Sequence, residues 1–251
     1  IDTAKFNGLW DVMNWNLYWR IINLRDMFAA RDEINERIDD NSLKPCMKTV
    51  LNELIGLKAA PGSILMRFDS QIGQTSFDWK VVDGALAPHI NAITSSVLTN
   101  GYATTVFDSK KQVNATELSV ARTILHESVH AFLVIEFRTT PGAFAKKYGE
   151  LMKDYNTTKR GFNQLQHEEF TRQFIKYIGG ALESYGLSKG YNYSRQFYND
   201  LAWGGLEDTD AFQNLSSSER RRISDNVQIE HNGKDRNGNS RPQKGTRSSC
   251  R

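Results

Sequence analysis

The spacing of hydrophobic residues in the first sixty positions predicts helices. In the segment MNWNLYWRIINLRDMFAARDEINERI, large apolar side chains recur at helical intervals with charged residues between them, at Trp15, Trp19, Ile22 and Met27. A shorter amphipathic helix is expected from about Leu43 to Gly56, and a Pro-Gly pair marks a break after it. We therefore expect residues 1–62 to form a helical segment that packs on the core.

Between residues 63 and 108 the pattern changes to short alternating runs. SILMRFDS, TSFDWKVV and ATTVFDS are rich in β-branched and aromatic residues and alternate between apolar and polar positions, which is typical of strands. Asn100-Gly101, between ITSSVLT and YATTVF, is the signal of a two-residue hairpin turn. A small sheet is therefore predicted in this part of the chain.

Helical periodicity returns after these strands. A long helix is predicted over about 116–137, where Asn114 and Glu117 have the spacing of a capping box. The run Thr-Thr-Pro-Gly at residues 139–142 ends it. This helix is apolar on nearly all sides, which predicts that it is buried in the core.

Two further helices are expected, at about 142–153 and 164–185. The second contains Gly179-Gly180, a pair that weakens a helix unless another element packs close to it. Aromatic turns (YNYSRQFY) follow, and the Trp-Gly-Gly-Leu segment at 203–206 is interpreted as a turn, with a wall beside a cleft as the alternative.

The last residues, 227–251, are polar and basic with almost no apolar positions. This composition predicts a disordered basic tail, for which a solvated terminus is favoured over contacts with nucleic acid. Residues 63–226 remain as the main domain. The predicted fold class is α+β, a mostly helical domain with a small β-sheet that precedes the long helix.

Composition and net charge exclude some classes of protein. Of the 251 residues, 39% are hydrophobic and 24% charged, as in ordinary globular proteins, and the formal net charge of +3 is too small to indicate a nucleic-acid partner. No apolar run approaches the roughly 20 residues of a membrane span. Cys46 and Cys250 are expected to be free thiols, because a bridge would tie a core helix to the tail. No targeting signal is recognisable, so no compartment is assigned.

The chemistry resides in the segment His126-Glu127-Ser128-Val129-His130. Residues four apart lie on one face of a helix, so both imidazoles can reach one metal ion. Glu127 is rotated away from the ligand positions but lies close enough to act as a general base. Because polar groups on a buried helix need partners, a metal centre is favoured over two core histidines bonded to the backbone.

A catalytic zinc site normally takes a third protein ligand. The segment Gln166-His167-Glu168-Glu169 is the best source, and helical phase ranks His167 first, Glu168 second and Glu169 third. The acidic residues that do not bind the metal could hydrogen-bond the ligating imidazoles. His89, in a loop, and His231, at the start of the tail, are weaker candidates, and His231 is expected to be solvated.

At these residues the chain resembles the zincin superfamily of zinc metallopeptidases, and most closely the SprT-like and related bacterial metallopeptidase domains. The resemblance is carried by RTILHESVHAFL, QHEEFTRQFIKYIGGALESYG and DLAWGGLEDTDAF, within about residues 116–213. It implies a sheet with an edge strand for an extended substrate, His126 and His130 as zinc ligands, Glu127 as base and the QHEE segment as third ligand. The accessory cysteine pairs of SprT-type proteins are absent from the sequence, which argues against a role in DNA repair.

The resulting hypothesis is a zinc-dependent peptidase that acts on a protein or peptide substrate. Tyr177, Tyr185, Tyr191 and Tyr193 are candidate oxyanion donors, although core packing is the favoured role of each, and ATTVFDS is the candidate substrate-binding edge. The alternatives are a toxin-like or secreted protease domain with a cognate inhibitor or immunity protein, an inactive zincin-shaped binding protein, and a DNA-associated protease.

Overall fold

The computed structural model describes residues 38–57, 78–95, 97–136 and 164–250. Within these ranges the chain forms four strands and six α-helices: β1 (Ile38–Ser42), α1 (Pro45–Gly56), β2 (Asp78–Asp83), β3 (Ala92–Thr94), β4 (Tyr102–Phe107), α2 (Glu117–Glu136), α3 (Gln164–Ser188), α4 (Arg195–Ala202), α5 (Asp210–Gln213) and α6 (Ser217–Asn232). The strands all precede α2, which confirms the predicted α+β fold with a small sheet ahead of the long helix. None of the helices in these ranges is both long and apolar enough to span a membrane.

The strands form one mixed sheet in the order β1-β2-β4-β3. β1, β2 and β4 run parallel, and β3 pairs antiparallel with β4. Asn100 and Gly101 connect β3 to β4 with positive φ angles of 53° and 87°, and Thr99 pairs with Tyr102 across the turn. These angles fit a two-residue hairpin turn, as predicted from the Asn-Gly pair.

The candidate substrate-binding edge needs a correction. The ATTVF run belongs to β4, which lies between β2 and β3 and is hydrogen-bonded on both sides. The short strand β3 is instead the edge of the described sheet on this side. The sequence favoured β4 because a six-residue alternating strand gives a strong pattern, whereas Ala92–Thr94 is too short to give one.

The helical prediction for the first sixty residues was wrong at Ile38–Ser42, which is the strand β1 and pairs with β2. The boundary at residue 62 therefore separates strands of one sheet. The segment IDDNS carries no alternating pattern, so its strand conformation depends on pairing with a distant segment. α1 was predicted correctly. Residues 1–37, the SILMRFDS run and the helix expected at 142–153 lie outside the described residues.

The long helix α2 forms the centre of the core. Its apolar residues are almost completely buried: Leu118, Val120, Ala121, Ile124, Leu125, Val129 and Ala131 are each at most 1% exposed. The predicted capping box of Asn114 and Glu117 is not what begins the helix. The hydroxyl of Thr116 accepts a hydrogen bond from the backbone N–H of Ser119 (3.2 Å), so Thr116 occupies the capping position.

The glycine pair in α3 does not break the helix, which runs from Gln164 to Ser188. A Cβ atom on Gly179 would lie 2.2 Å from Oδ1 of Asn199 and 3.1 Å from its Cα, because α4 packs directly against α3 here. Close approach of a second helix is the condition under which paired glycines are accommodated in a helix interior. The second half of the predicted aromatic turn (YNYSRQFY) is the beginning of α4.

The C-terminal residues are an ordered part of the molecule, not the disordered tail that their composition predicted. Residues 233–250, here called the closing segment, return from α6 to the start of α2. The backbone N–H of Ser248 donates to the carbonyl of Ala115, and that of Glu117 donates to the carbonyl of Thr246, each at 2.8 Å. Composition was misleading because the segment is held by hydrogen bonds instead of apolar side chains.

A buried carboxylate anchors the closing segment. Glu230, on the last turn of α6, is 1% exposed and accepts hydrogen bonds from the hydroxyl of Thr116 (2.8 Å) and the backbone N–H groups of Lys244 (2.7 Å) and Gly245 (3.0 Å). A Cβ atom at position 245 would lie 2.9 Å from Cβ of Thr116. A glycine is therefore needed where the chain passes this close to the helix.

A disulfide joins Cys46 on α1 to Cys250 at the end of the closing segment, with a Cα–Cα distance of 5.1 Å. The prediction of two free thiols was wrong, because it rested on the assumption of a disordered tail. The hydrogen bonds of the closing segment bring Cys250 into the core, where it is 5% exposed. The bridge therefore ties two ordered elements together.

Candidate metal centre

The two histidines of the motif direct their rings to the same point. His126 and His130 lie one turn apart on α2, and their Nε2 atoms are 3.0 Å apart. Burial lowers the pKa of both imidazoles, that of His130 to about 4, and the neighbouring charges of His130 and Arg122 lower that of His126 further. Both rings are therefore neutral at physiological pH, which is the form that binds metal ions.

Glu127 completes this cluster. Its carboxylate is 5% exposed, and it offers an oxygen that lies with the two imidazole nitrogens inside a group whose ligand atoms are all within 4.8 Å of one another. Burial raises the pKa of Glu127 to about 7, although a hydrogen bond from Thr94 and the charge of Arg122 oppose the rise. Such a carboxyl can both accept and donate a proton near neutral pH.

A chain of hydrogen bonds across the sheet holds this carboxylate. The indole N–H of Trp79 on β2 donates to Oγ1 of Thr105 on β4 (2.8 Å), and this hydroxyl is 2.7 Å from Oγ1 of Thr94 on β3. Thr94 in turn donates to Oε2 of Glu127 (2.7 Å). Because an indole can only donate and a carboxylate accepts, the hydroxyl protons point along the chain towards Glu127.

The sequence did not reveal these supporting residues. Threonine is common in strands, and Thr94 stands in a three-residue strand with no polar motif around it. Its role depends on the hairpin that brings β3 against the motif helix. A sequence signal for this contact would have to combine the hairpin prediction with the direction of each side chain, and the register of so short a strand is not readable from its pattern.

The cluster opens into a cavity of about 880 Å³ between β3, α2 and α6. Four of the five histidines line it: His89, His126, His130 and His231. His231 was expected to be solvated, but α6 carries it into the cavity wall, where burial lowers its pKa to about 4. The expectation failed because the predicted tail began at residue 227, whereas the helix continues for six more residues, to Asn232.

The Trp-Gly-Gly-Leu turn forms part of the cavity wall, which was the less favoured of its two interpretations. A Cβ atom on Gly205 would lie 2.9 Å from Cε1 of His126, and one on Gly204 would lie 3.0 Å from Cζ of Arg122. Gly205 also has a φ of +88°, a conformation that other residues rarely adopt. The two glycines therefore let the backbone pack directly against the motif helix.

The predicted third ligand lies outside the described side chains. His167, Glu168 and Glu169 fall in the first two turns of α3, whose backbone is helical as expected and whose helix packs against α2. Glu207 lines the cavity as well, and its carboxylate accepts a hydrogen bond from the backbone N–H of Gly205 (2.8 Å). The ranking of His167 above Glu168 and Glu169 stays a prediction.

The four tyrosines considered as oxyanion donors do not line this cavity. Tyr185 is fully buried and donates to Glu53 (2.9 Å), and Tyr193 donates to the carbonyl of Lys244 (2.8 Å). The hydroxyl of Tyr191 accepts from the backbone N–H of Thr246 (2.8 Å), and Tyr177 is half exposed. Tyr185, Tyr191 and Tyr193 therefore have structural roles, and the polar groups that line the cavity come from α2, α6, β3 and the adjoining loops.

The donor set fits a zinc ion. Two neutral imidazoles and a carboxylate within a few ångströms of each other are nitrogen and oxygen donors of the types that zinc prefers. Compared with known proteins, the chain matches no family model, no curated protein and no solved structure. The zincin-like interpretation therefore depends on the residues of the motif helix and their surroundings.

Proposed function

We propose that this protein is a zinc-dependent peptidase. The observation that carries the proposal is the convergence of the His126 and His130 Nε2 atoms, 3.0 Å apart, beside the buried carboxylate of Glu127 in an open cavity. A purely structural zinc site is closed by its ligands and has no use for a base. An adjacent carboxylate of raised pKa in a cavity large enough for a substrate favours catalysis.

The residues around the cluster can perform the proton transfers of peptide hydrolysis. A bound zinc ion would polarise the peptide carbonyl and lower the pKa of a water molecule at the centre. Glu127 is the group that would accept a proton from the attacking water and deliver it to the nitrogen of the leaving amine, while His126 and His130 would hold the metal ion. The hydroxyl of Thr94 fixes one carboxylate oxygen, so the other is left to face the reacting groups.

The edge strand β3 offers a binding surface for an extended peptide. It forms the cavity wall next to the motif helix, and in the described sheet it pairs on one side alone, with β4. Two large apolar side chains beside it, Ile90 and Ile93, are 38% and 47% exposed and also line the cavity. A peptide added along this edge would gain main-chain hydrogen bonds and apolar contacts.

The disulfide bears on where the protein acts. Disulfides persist in oxidising environments and are rare in the cytosol, so the Cys46–Cys250 bridge supports action outside a reducing compartment. This is compatible with a secreted or toxin-like protease domain. A protein inhibitor that fills the cavity and covers the edge of β3 is the kind of partner such a domain would require.

Metal analysis of the purified protein tests the proposal. We expect about one zinc ion per chain in the wild type, its loss in His126→Ala, and its loss in His167→Ala if that residue is the third ligand. His89→Asn is the matched control, because His89 lines the cavity but has a φ of 72°, which asparagine tolerates. Retention of zinc in His167→Ala would move the third ligand to Glu168 or Glu169.

Turnover separates an enzyme from a binding protein. Glu127→Gln should keep the zinc ion and the fold but lower the rate of peptide-library cleavage by about 10²- to 10⁴-fold. Zinc binding without any cleavage by the wild type would favour the catalytically inactive binding protein. Absence of zinc from the wild type, even after zinc is added back, would overturn the proposal.

A further inference from the structure

A buried arginine stands in the cavity beside the proposed metal centre. Arg122 lies one turn before His126 on α2, is 7% exposed and lines the same cavity. Among the described residues, its guanidinium donates no hydrogen bond, and no carboxylate lies within 4 Å of it. Burial lowers the pKa of Arg122, with the charges of Glu207 and Glu127 opposing this, but an arginine keeps its proton under all physiological conditions.

A guanidinium that is largely withdrawn from water is stabilised by any acceptor that can reach it. The two nearby carboxylates are engaged elsewhere, Glu207 with the backbone N–H of Gly205 and Glu127 with Thr94. The backbone at Gly204 covers one part of the guanidinium. An acceptor on a ligand can therefore reach Arg122 through the cavity that it lines.

His231 provides a second polar group of the same kind. It enters the cavity from α6, and its Nδ1 atom is buried with no hydrogen-bond partner among the described residues. Arg122 and His231 line the same cavity, Arg122 from α2 and His231 from α6. A neutral imidazole beside a guanidinium can add one further hydrogen bond to a shared ligand.

We propose that Arg122 and His231 form a subsite that binds a carboxylate of the peptide substrate next to the metal centre. The inference rests on the proposed peptidase function for the identity of the ligand. A carboxylate presents two coplanar oxygens that match the fork of a guanidinium. A peptide can supply that group from its C-terminus or from an aspartate or glutamate side chain, so the substrate class is peptides with a carboxylate near the scissile bond.

Equilibrium binding of short peptides tests the subsite without turnover. The protein is Glu127→Gln, and the probes are acetylated tetra-alanine with a free C-terminus, the same peptide as its amide, and an amide with one internal aspartate. We expect at least one carboxylate peptide to bind about 10- to 100-fold more tightly than the neutral amide. Comparison of the two carboxylate probes shows which source the site prefers.

The Arg122→Gln substitution in the Glu127→Gln protein should abolish this preference, whereas Arg221→Gln, which removes an exposed arginine on α6, should leave it intact. All measurements are made with and without zinc, because zinc itself can bind a carboxylate. Equal affinity for acid and amide in metal-free protein, or a preference that survives Arg122→Gln, would overturn the subsite. Zinc content of the same samples reports on the proposed peptidase separately.

A measurement on protein that retains Arg122 tests the subsite even if the Arg122→Gln variant fails to fold. Phenylglyoxal modifies accessible arginines, and peptide mapping reports the rate at each position. We expect the tightest-binding carboxylate peptide to slow modification of Arg122 by at least about tenfold at saturation, with no change at Arg221. An unchanged rate at Arg122 would contradict the proposal whatever the variants do.

Discussion

The motif helix α2 and the closing segment lie against each other but are stabilised by different interactions. Buried positions of α2 are mainly apolar, and Val120 and Ile124 are at most 1% exposed. In the closing segment the buried side chains are Asp235, Ser248 and Cys250, and the contacts are hydrogen bonds and a disulfide. Apolar packing spreads stability over many weak contacts, whereas these polar contacts concentrate it in few groups. Single substitutions in the closing segment should therefore affect stability most, and substitutions around α2 should affect chemistry most.

Removal of the disulfide should give the largest effect on stability. The bridge joins residues 204 positions apart, so it restricts the unfolded chain strongly, and we expect reduction to lower the free energy of unfolding by about 4 kcal/mol. Urea unfolding with and without dithiothreitol measures this difference. The Cys46→Ser/Cys250→Ser double variant is the control, because it should be as stable as the reduced protein and dithiothreitol should not change its stability. Equal stability of oxidised and reduced wild type would show that hydrogen bonds alone hold the closing segment.

Glu230→Ala should lower the free energy of unfolding by about 3 kcal/mol, because it leaves a hydroxyl and two backbone N–H groups buried without an acceptor. Urea unfolding of the oxidised protein is the measurement. Asp225→Ala on the same helix is the matched control. Its carboxylate is 35% exposed, so its hydrogen bond from the backbone N–H of Arg236 (3.1 Å) and its ion pair with the Arg236 side chain (3.7 Å) compete with water, and we expect a change below about 1 kcal/mol. Similar losses in the two variants would refute the anchoring role of Glu230.

The same contrast explains which parts of the molecule the sequence could predict. α1, α2, α3 and the β3–β4 hairpin follow from apolar periodicity and one Asn-Gly pair, because local pattern and final environment agree there. The strand β1 and the closing segment do not, because their conformations depend on pairing with β2 and with the start of α2. Distant pairing of polar segments leaves no periodic trace in the sequence.

The residues of the candidate site also fall into those that the sequence pattern predicts and those that it does not. His126, Glu127 and His130 are readable because one helix spaces them, and helix geometry is fixed by the backbone. Thr94 and His231 are not readable, because the fold brings them to the cavity from elements 32 positions before and 105 positions after His126. Arg122 belongs to the motif helix and has the right phase, but an arginine in a helix is normally interpreted as a surface residue.

His231 connects the motif helix α2 with the closing segment, because it lines the cavity beside α2 and lies on α6, which leads directly into the closing segment. Its pKa is near 4 in the folded chain and near 6.5 in the unfolded chain, so between these values the unfolded chain binds the additional proton. The free energy of unfolding of metal-free protein should fall as the pH is lowered from 6.5 to 4 and level off below. His231→Gln should reduce this loss by about 2 kcal/mol. Urea unfolding at pH 7 and pH 4 measures it, with His89→Asn as control, and equal pH dependence in wild type and His231→Gln would contradict the burial of this residue.

Thr94→Val should have the smallest effect on stability but a specific effect on the chemistry of α2. Loss of the hydrogen bond to Glu127 frees the carboxylate to rotate, and we expect kcat/KM to fall about tenfold with zinc content unchanged. Because this bond lowers the pKa of Glu127 against the effect of burial, its loss should raise that pKa, and the acidic limb of the pH–rate profile should move to higher pH. Thr104→Val, on the opposite face of β4 from Thr105, is the matched control and should change neither quantity. A lower rate with an unmoved acidic limb would mean that Thr94 supports the sheet alone and does not position the base.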